Sequence, residues 1–87
     1  MRTTETYQLF KTDSCGFCFR VRNFLQHNNI EILLRDINQE QEALRELLSG
    51  GGRSMVPCLR IESEEGEVKW MYESMDIMGY LADKHPE

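Results

Sequence analysis

The chain has 87 residues, 40% of them hydrophobic and 29% charged, with a formal net charge of −5. Residues 1–87 read as one domain with a modest core, and the acidic balance argues against nucleic acid as a main partner. The apolar runs are too short for a bilayer, and the polar start, Met1 to Glu5, has no signal-peptide core; no membrane association and a cytoplasmic location with reduced thiols are expected.

Thr6 to Phe10 alternates in polarity and reads as a strand. After Cys15 the period changes: Phe17, Val21 and Phe24 share a helical face, with Cys18 and Leu25 beside it. The polar cluster His27-Asn28-Asn29 suits the end of that helix. Ile30 to Arg35 reads as a second strand. A second helix runs from Asn38 or Gln39 to Ser49, with Ala43, Leu44, Leu47 and Leu48 inward and Gly50-Gly51-Gly52 as its stop. Cys58 to Ile61 and Glu67 to Tyr72 form an antiparallel hairpin around Glu64-Glu65-Gly66, with Trp70, Met71 and Tyr72 as its core. The last helix opens at Ser74, an N-cap residue type, and turns Ile77, Tyr80 and Leu81 inward. The order β-α-β-α-β-β-α describes an α/β domain, a four-stranded mixed sheet with three helices.

Cys15 and Cys18 fall between the first strand and the first helix. Free amides at a helix N-terminus favour an anion, a thiol placed there ionises more readily, and the thiolate is the nucleophile. Zinc needs four ligands, usually as two close pairs, and only one pair is present; Cys58, His27 and His85 offer no second. A disulfide closing so small a loop staples little, and an odd cysteine count does not suit a disulfide scaffold. The remaining readings are a redox pair and two cysteines that pack as small hydrophobes. Cys58, next to Pro57, reads as a packed strand residue or a regulatory thiol. Arg20 and Arg22 read as the wet face of the first helix or as neighbours of an anionic ligand.

Three stretches carry a resemblance: Cys15-Gly16-Phe17-Cys18, Val56-Pro57, and Glu73-Ser74 with Asp76-Ile77. Together with Ala43 to Leu47 they are similar to the glutaredoxins and to the N-terminal domain of glutathione transferases, over roughly residues 6 to 84. The segment from Trp70 to Ile77 looks most like the transferase-shaped bacterial glutaredoxins. The resemblance implies a thioredoxin-like fold, a cis bond before Pro57, and a glutathione-dependent thiol–disulfide oxidoreductase. Cys15 would be its nucleophile and Cys18 its resolving thiol. Its co-substrate would be glutathione and its partners glutathionylated or disulfide-containing proteins, handled as a monomer without a metal. Glutathione would lie along the Val56 backbone, with one carboxylate on the Ser74 hydroxyl and the amides of Ser74 and Met75. Glu73 would meet its ammonium, Lys11 or Arg53 its glycine carboxylate, and Phe17 would flank Cys15. Gly16-Phe17 also resembles single-cysteine members that hold iron–sulfur clusters, the alternative being a dimer in which each chain gives Cys15 and two glutathiones complete the ligands. Cys18 stands where those members have serine.

Overall fold

The computed structural model describes residues 5–84; His85 lies outside them. The elements are β1 (Thr6–Lys11), α1 (Gly16–His27), β2 (Leu33–Asp36), α2 (Gln41–Glu46) running on into a π-helical turn (Leu47–Gly51), β3 (Cys58–Glu62), β4 (Val68–Met71) and α3 (Ser74–Lys84). The sheet order is β2-β1-β3-β4. β1 and β2 are parallel, and the β1–β3 and β3–β4 pairs are antiparallel. This is the four-stranded mixed sheet with helices that the element order implies, in the thioredoxin-like arrangement that the resemblance implies.

Alternation along β1 and β3 splits the interior in two. Tyr7, Leu9, Leu59 and Ile61 face α1 and α3 and pack on Val21, Leu25, Ile77 and Leu81. Phe10 and Cys58 face the other way and pack on Ala43 and Leu47, with Trp70 and Tyr72 partly covering them. Phe10 meets Trp70 at 5.5 Å between ring centroids, and the Arg35 guanidinium caps its other side at 5.5 Å. Glu5 draws α3 onto β1, accepting from the Tyr7 hydroxyl at 2.9 Å and the Tyr80 hydroxyl at 2.7 Å.

The buried face of α1 is Cys18, Val21 and Leu25; Phe24 is half-buried and Phe17 is exposed. The helix ends as the polar cluster predicts. Asn29 takes a positive φ of 55°, its N–H bonds the Gln26 carbonyl, and the Ile30 N–H bonds the Leu25 carbonyl at 2.9 Å. That is a Schellman motif, with Ile30 and Leu25 as its apolar contact. Ile30 therefore belongs to the helix end, and β2 starts at Leu33 rather than Ile30.

α2 begins at Gln41, later than the apolar pattern suggests. Asp36 holds the preceding turn: its carboxylate accepts the Asn38 N–H at 2.8 Å, and its carbonyl accepts those of Gln39 and Glu40. Ala43 and Leu47 are buried, Leu44 is half-buried, and Leu48 faces solvent. The helix continues to Gly51 and is stopped at Gly52, whose φ is +86°. Gly50 and Gly51 are required by close approach: a Cβ on Gly50 would overlap the Trp70 ring, and one on Gly51 the Tyr72 hydroxyl. α3 starts with Ser74 inside the helix, because the Ile77 N–H bonds the Glu73 carbonyl at 2.8 Å. Glu73 thus occupies the capping position expected of Ser74.

Candidate active site

Strand register gathers the site at one end of the sheet. β1 leaves that end toward Cys15, with Phe10 opposite Cys58 where β3 begins. Leu59 stands opposite Met71, so β4 also finishes there and delivers the chain to Glu73 and Ser74. The cysteine turn, the Pro57 loop and the N-terminus of α3 therefore share one edge of the molecule.

Cys15 is the N-cap of α1, with extended backbone angles of φ −92° and ψ 121°. Its sulfur accepts the Cys18 N–H at 3.4 Å. Its thiol also lies 3.8 Å from the Val56 carbonyl oxygen, to which it donates. The Val56–Pro57 peptide bond is cis. Cys15 is partly exposed, so its sulfur can be reached from solvent. The sulfur thus stands at a helix N-terminus with one backbone amide aimed at it.

Cys18, one turn in, is fully buried. Burial pushes its thiol up to about 12, against a hydrogen bond with the Thr12 backbone; the neighbouring Cys15 adds to the rise. Cys58, also fully buried, is likewise pushed up to about 12 by burial, against the hydroxyl of Tyr72 and the Met71 backbone. The two motif cysteines thus differ: one is open and capped by an amide, the other dry and held as a neutral thiol. All three cysteines are free thiols.

The expected ligand-binding side chains are placed unevenly. Lys11 is mostly covered, and its ammonium sits on Asp13 at 2.7 Å and Asp36 at 3.4 Å. Asp13 also takes Arg22 at 3.6 Å. Arg53 is exposed and pairs with no carboxylate among the described residues; its guanidinium lies over the Tyr72 ring at 5.3 Å. The Tyr72 hydroxyl accepts the Arg53 N–H and donates to the Arg53 carbonyl, both at 3.2 Å. Ser74 is nearly buried and Glu73 exposed at the start of α3, and Phe17 stands in solvent beside Cys15. Among the described residues, no three His, Cys, Asp or Glu side chains gather as a metal site, and no helix is long and apolar enough to cross a membrane.

Two residues carry more of the site than their sequence context suggests. Tyr72 reads as hairpin core, yet its hydroxyl fixes the loop before Pro57. Its signal is the adjoining glycine pair, which marks a close approach. Thr12 is buried, and its backbone meets the Cys18 thiol; nothing in the sequence pattern marks it.

A family model described as Glutaredoxin matches residues 8–65, which hold Cys15, Cys18 and Pro57. The chain belongs to the glutaredoxin family. Among solved structures this glutaredoxin domain is similar to the maleylacetoacetate isomerase of Anaeromyxobacter dehalogenans with glutathione bound in its active site. The identity is 26% and the TM-score 0.71, over 98% of this chain and 40% of that one. It is also similar to glutathione transferase Omega 2S of Trametes versicolor, at 22% identity and TM-score 0.72, over 95% of this chain and 38% of that one. A thioredoxin-like protein matches at 23% identity and TM-score 0.67, over 85% of this chain and 97% of its own. The domain spans about two fifths of the isomerase and transferase chains. No curated protein matches it.

Proposed function

We propose that this glutaredoxin domain is a glutathione-dependent thiol–disulfide oxidoreductase. The observation that carries the reading is the asymmetry of the pair: Cys15 caps the helix within reach of solvent and the Val56 carbonyl, while Cys18 is buried and held protonated. The bound glutathione of the similar isomerase structure supports glutathione as the co-substrate.

In this reaction the Cys15 thiolate attacks the glutathione sulfur of a protein–glutathione mixed disulfide. A Cys15–glutathione disulfide forms, the old S–S bond breaks, and the protein thiolate leaves with the electron pair and takes a proton from solvent. The thiolate of a second glutathione then attacks the bound glutathione sulfur, giving oxidised glutathione and restoring Cys15. The attacking glutathione is the reductant: its sulfur rises to the disulfide level as the protein sulfur returns to the thiol. For a protein disulfide, Cys18 attacks the Cys15 sulfur of the mixed disulfide and its proton passes to the leaving substrate sulfur. Release by a second glutathione is the other route from that mixed disulfide.

The site's own groups position the co-substrate. The Val56 backbone pairs with its cysteinyl unit, as one more short strand. Ser74 and the free amides at the start of α3 take one carboxylate, and Glu73 takes the ammonium. Arg53, with no carboxylate of its own among the described residues, takes the other carboxylate in preference to Lys11, which is already paired with Asp13 and Asp36.

The test is turnover of a glutathione mixed disulfide, coupled to glutathione reductase and NADPH. Wild type and Cys18→Ser are expected to turn over and Cys15→Ser to be inactive. An inactive wild type overturns the reading.

A further inference from the structure

The start of α1 holds an exposed pair to which the glutathione contacts proposed above assign no role. Phe17 and Arg20 are three residues apart and so share a face. Helical side chains lean toward the helix N-terminus, which here is the Cys15 end. The Arg20 guanidinium accordingly lies over the Phe17 ring, 6.0 Å from its centroid. Phe17 is 60% exposed, although it is a large apolar ring.

The charge of Arg20 is unspent. Arg22, Arg35 and Arg60 each meet a carboxylate, at 3.6, 3.0 and 2.9 Å. Arg20 meets none among the described residues, although the chain carries fifteen Asp and Glu against ten Lys and Arg. Asp13, in the turn before α1, is held by Lys11 and Arg22. A cation propped on an aromatic ring keeps its orientation while its hydrogen-bond fork stays open. Toward the Cys15 end of α1, in an acidic protein, this is a positive charge next to an apolar contact.

We propose that Arg20, propped on Phe17, recognises a carboxylate near the reactive cysteine of the protein half of the mixed disulfide. The preferred protein substrates are then cysteine segments with Asp or Glu close in sequence. The apolar part of such a segment rests on Phe17. This rests on the proposed exchange reaction, and it concerns which partner is accepted. One exposed ion pair supplies a preference of up to about fivefold, and salt weakens it.

The experiment uses three glutathionylated peptides that differ only in Glu, Gln or Lys two residues from the cysteine. kcat/KM is measured for wild type, Arg20→Gln and Arg20→Glu. Each value is divided by the same variant's value for the glutathione mixed disulfide of 2-mercaptoethanol, which has no flanking residues. The expected result is a preference for the Glu peptide in wild type, lost in Arg20→Gln and turned toward the Lys peptide in Arg20→Glu. Equal use of the three peptides by wild type overturns the proposal, as does a Glu preference that Arg20→Glu leaves in place. Failure of wild type on the 2-mercaptoethanol disulfide overturns the exchange reading itself, and this one with it.

Discussion

Alkylation of the native, reduced protein separates the three cysteines sharply. Burial pushes both Cys18 and Cys58 from an ordinary 9.0 up to about 12. Three pH units leave about a thousandfold less thiolate at pH 8 than an ordinary thiol would have, and the thiolate is the species that alkylates. Both side chains are also fully buried, so reagent must wait for the fold to open. Cys15 is partly exposed at the helix end, so reagent reaches it without waiting for the fold to open. Iodoacetamide at pH 8 should therefore add one carbamidomethyl group to the native chain and three to the chain in denaturant. Intact mass counts the groups, and peptide mapping should place the native one on Cys15. Raising the pH should speed the slow sites by about tenfold per unit. A second adduct forming at a rate close to the first, on Cys18 or Cys58, would refute the argument that burial sets their chemistry.

The same burial makes the fold sensitive to alkali. The folded values of Cys18 and Cys58 lie above the unfolded ones, so stability is intact below about pH 8.5 and falls as pH rises toward 12. Each thiol contributes a loss of up to about 1.4 kcal/mol per pH unit. Urea melts between about pH 8 and pH 10 should show that slope, and Cys58→Ala should reduce it; an unchanged slope would count against the burial effect. Gly51→Ala must displace the Tyr72 hydroxyl and should cost about 1–3 kcal/mol in thermal melts. Gly79→Ala, in α3 with open space around it, should instead gain about 0.5–1 kcal/mol. Phe10→Ala empties a fully buried position between Trp70 and Arg35 and should lose about 3–5 kcal/mol of folding stability; a loss under about 1 kcal/mol would show that the α2 side of the sheet is not close-packed.

Much of the fold was legible because period-2 and period-3.6 patterns are set by which face is buried. Tyr7, Leu9 and Phe10 announce β1, and Val21 and Leu25 announce α1. The misses come from backbone hydrogen bonds that hydropathy does not carry. Ile30 looks like a strand residue because it is apolar and β-branched, yet its N–H closes the Schellman motif of α1. Asn38 and Gln39 look helical, yet the Asp36 carboxylate and carbonyl bind their N–H groups in a turn. At the site, Cys15, Cys18 and Pro57 were legible from spacing and resemblance. The second partner of Lys11 was not, because Asp36 lies twenty-five residues away and meets it only through the parallel pairing of β1 with β2.

Apart from the Cys18 thiol beside it, the Cys15 sulfur of this candidate site meets main-chain groups. Cys15 meets an N–H of Cys18 and a carbonyl of Val56, both main chain. The start of α3 likewise offers amides. Residue identity around the sulfur therefore matters less than the path of three loops, and the residues that set this path stand back from the chemistry. Tyr72 is the clearest of them. Its hydroxyl fixes both backbone groups of Arg53, its ring carries the Arg53 guanidinium, and it reaches Cys58 at the start of β3. Gly51 lacks a side chain so that Tyr72 can stand there. A change at either position moves the chain leading into Val56, and so alters a surface that neither residue is itself required to touch.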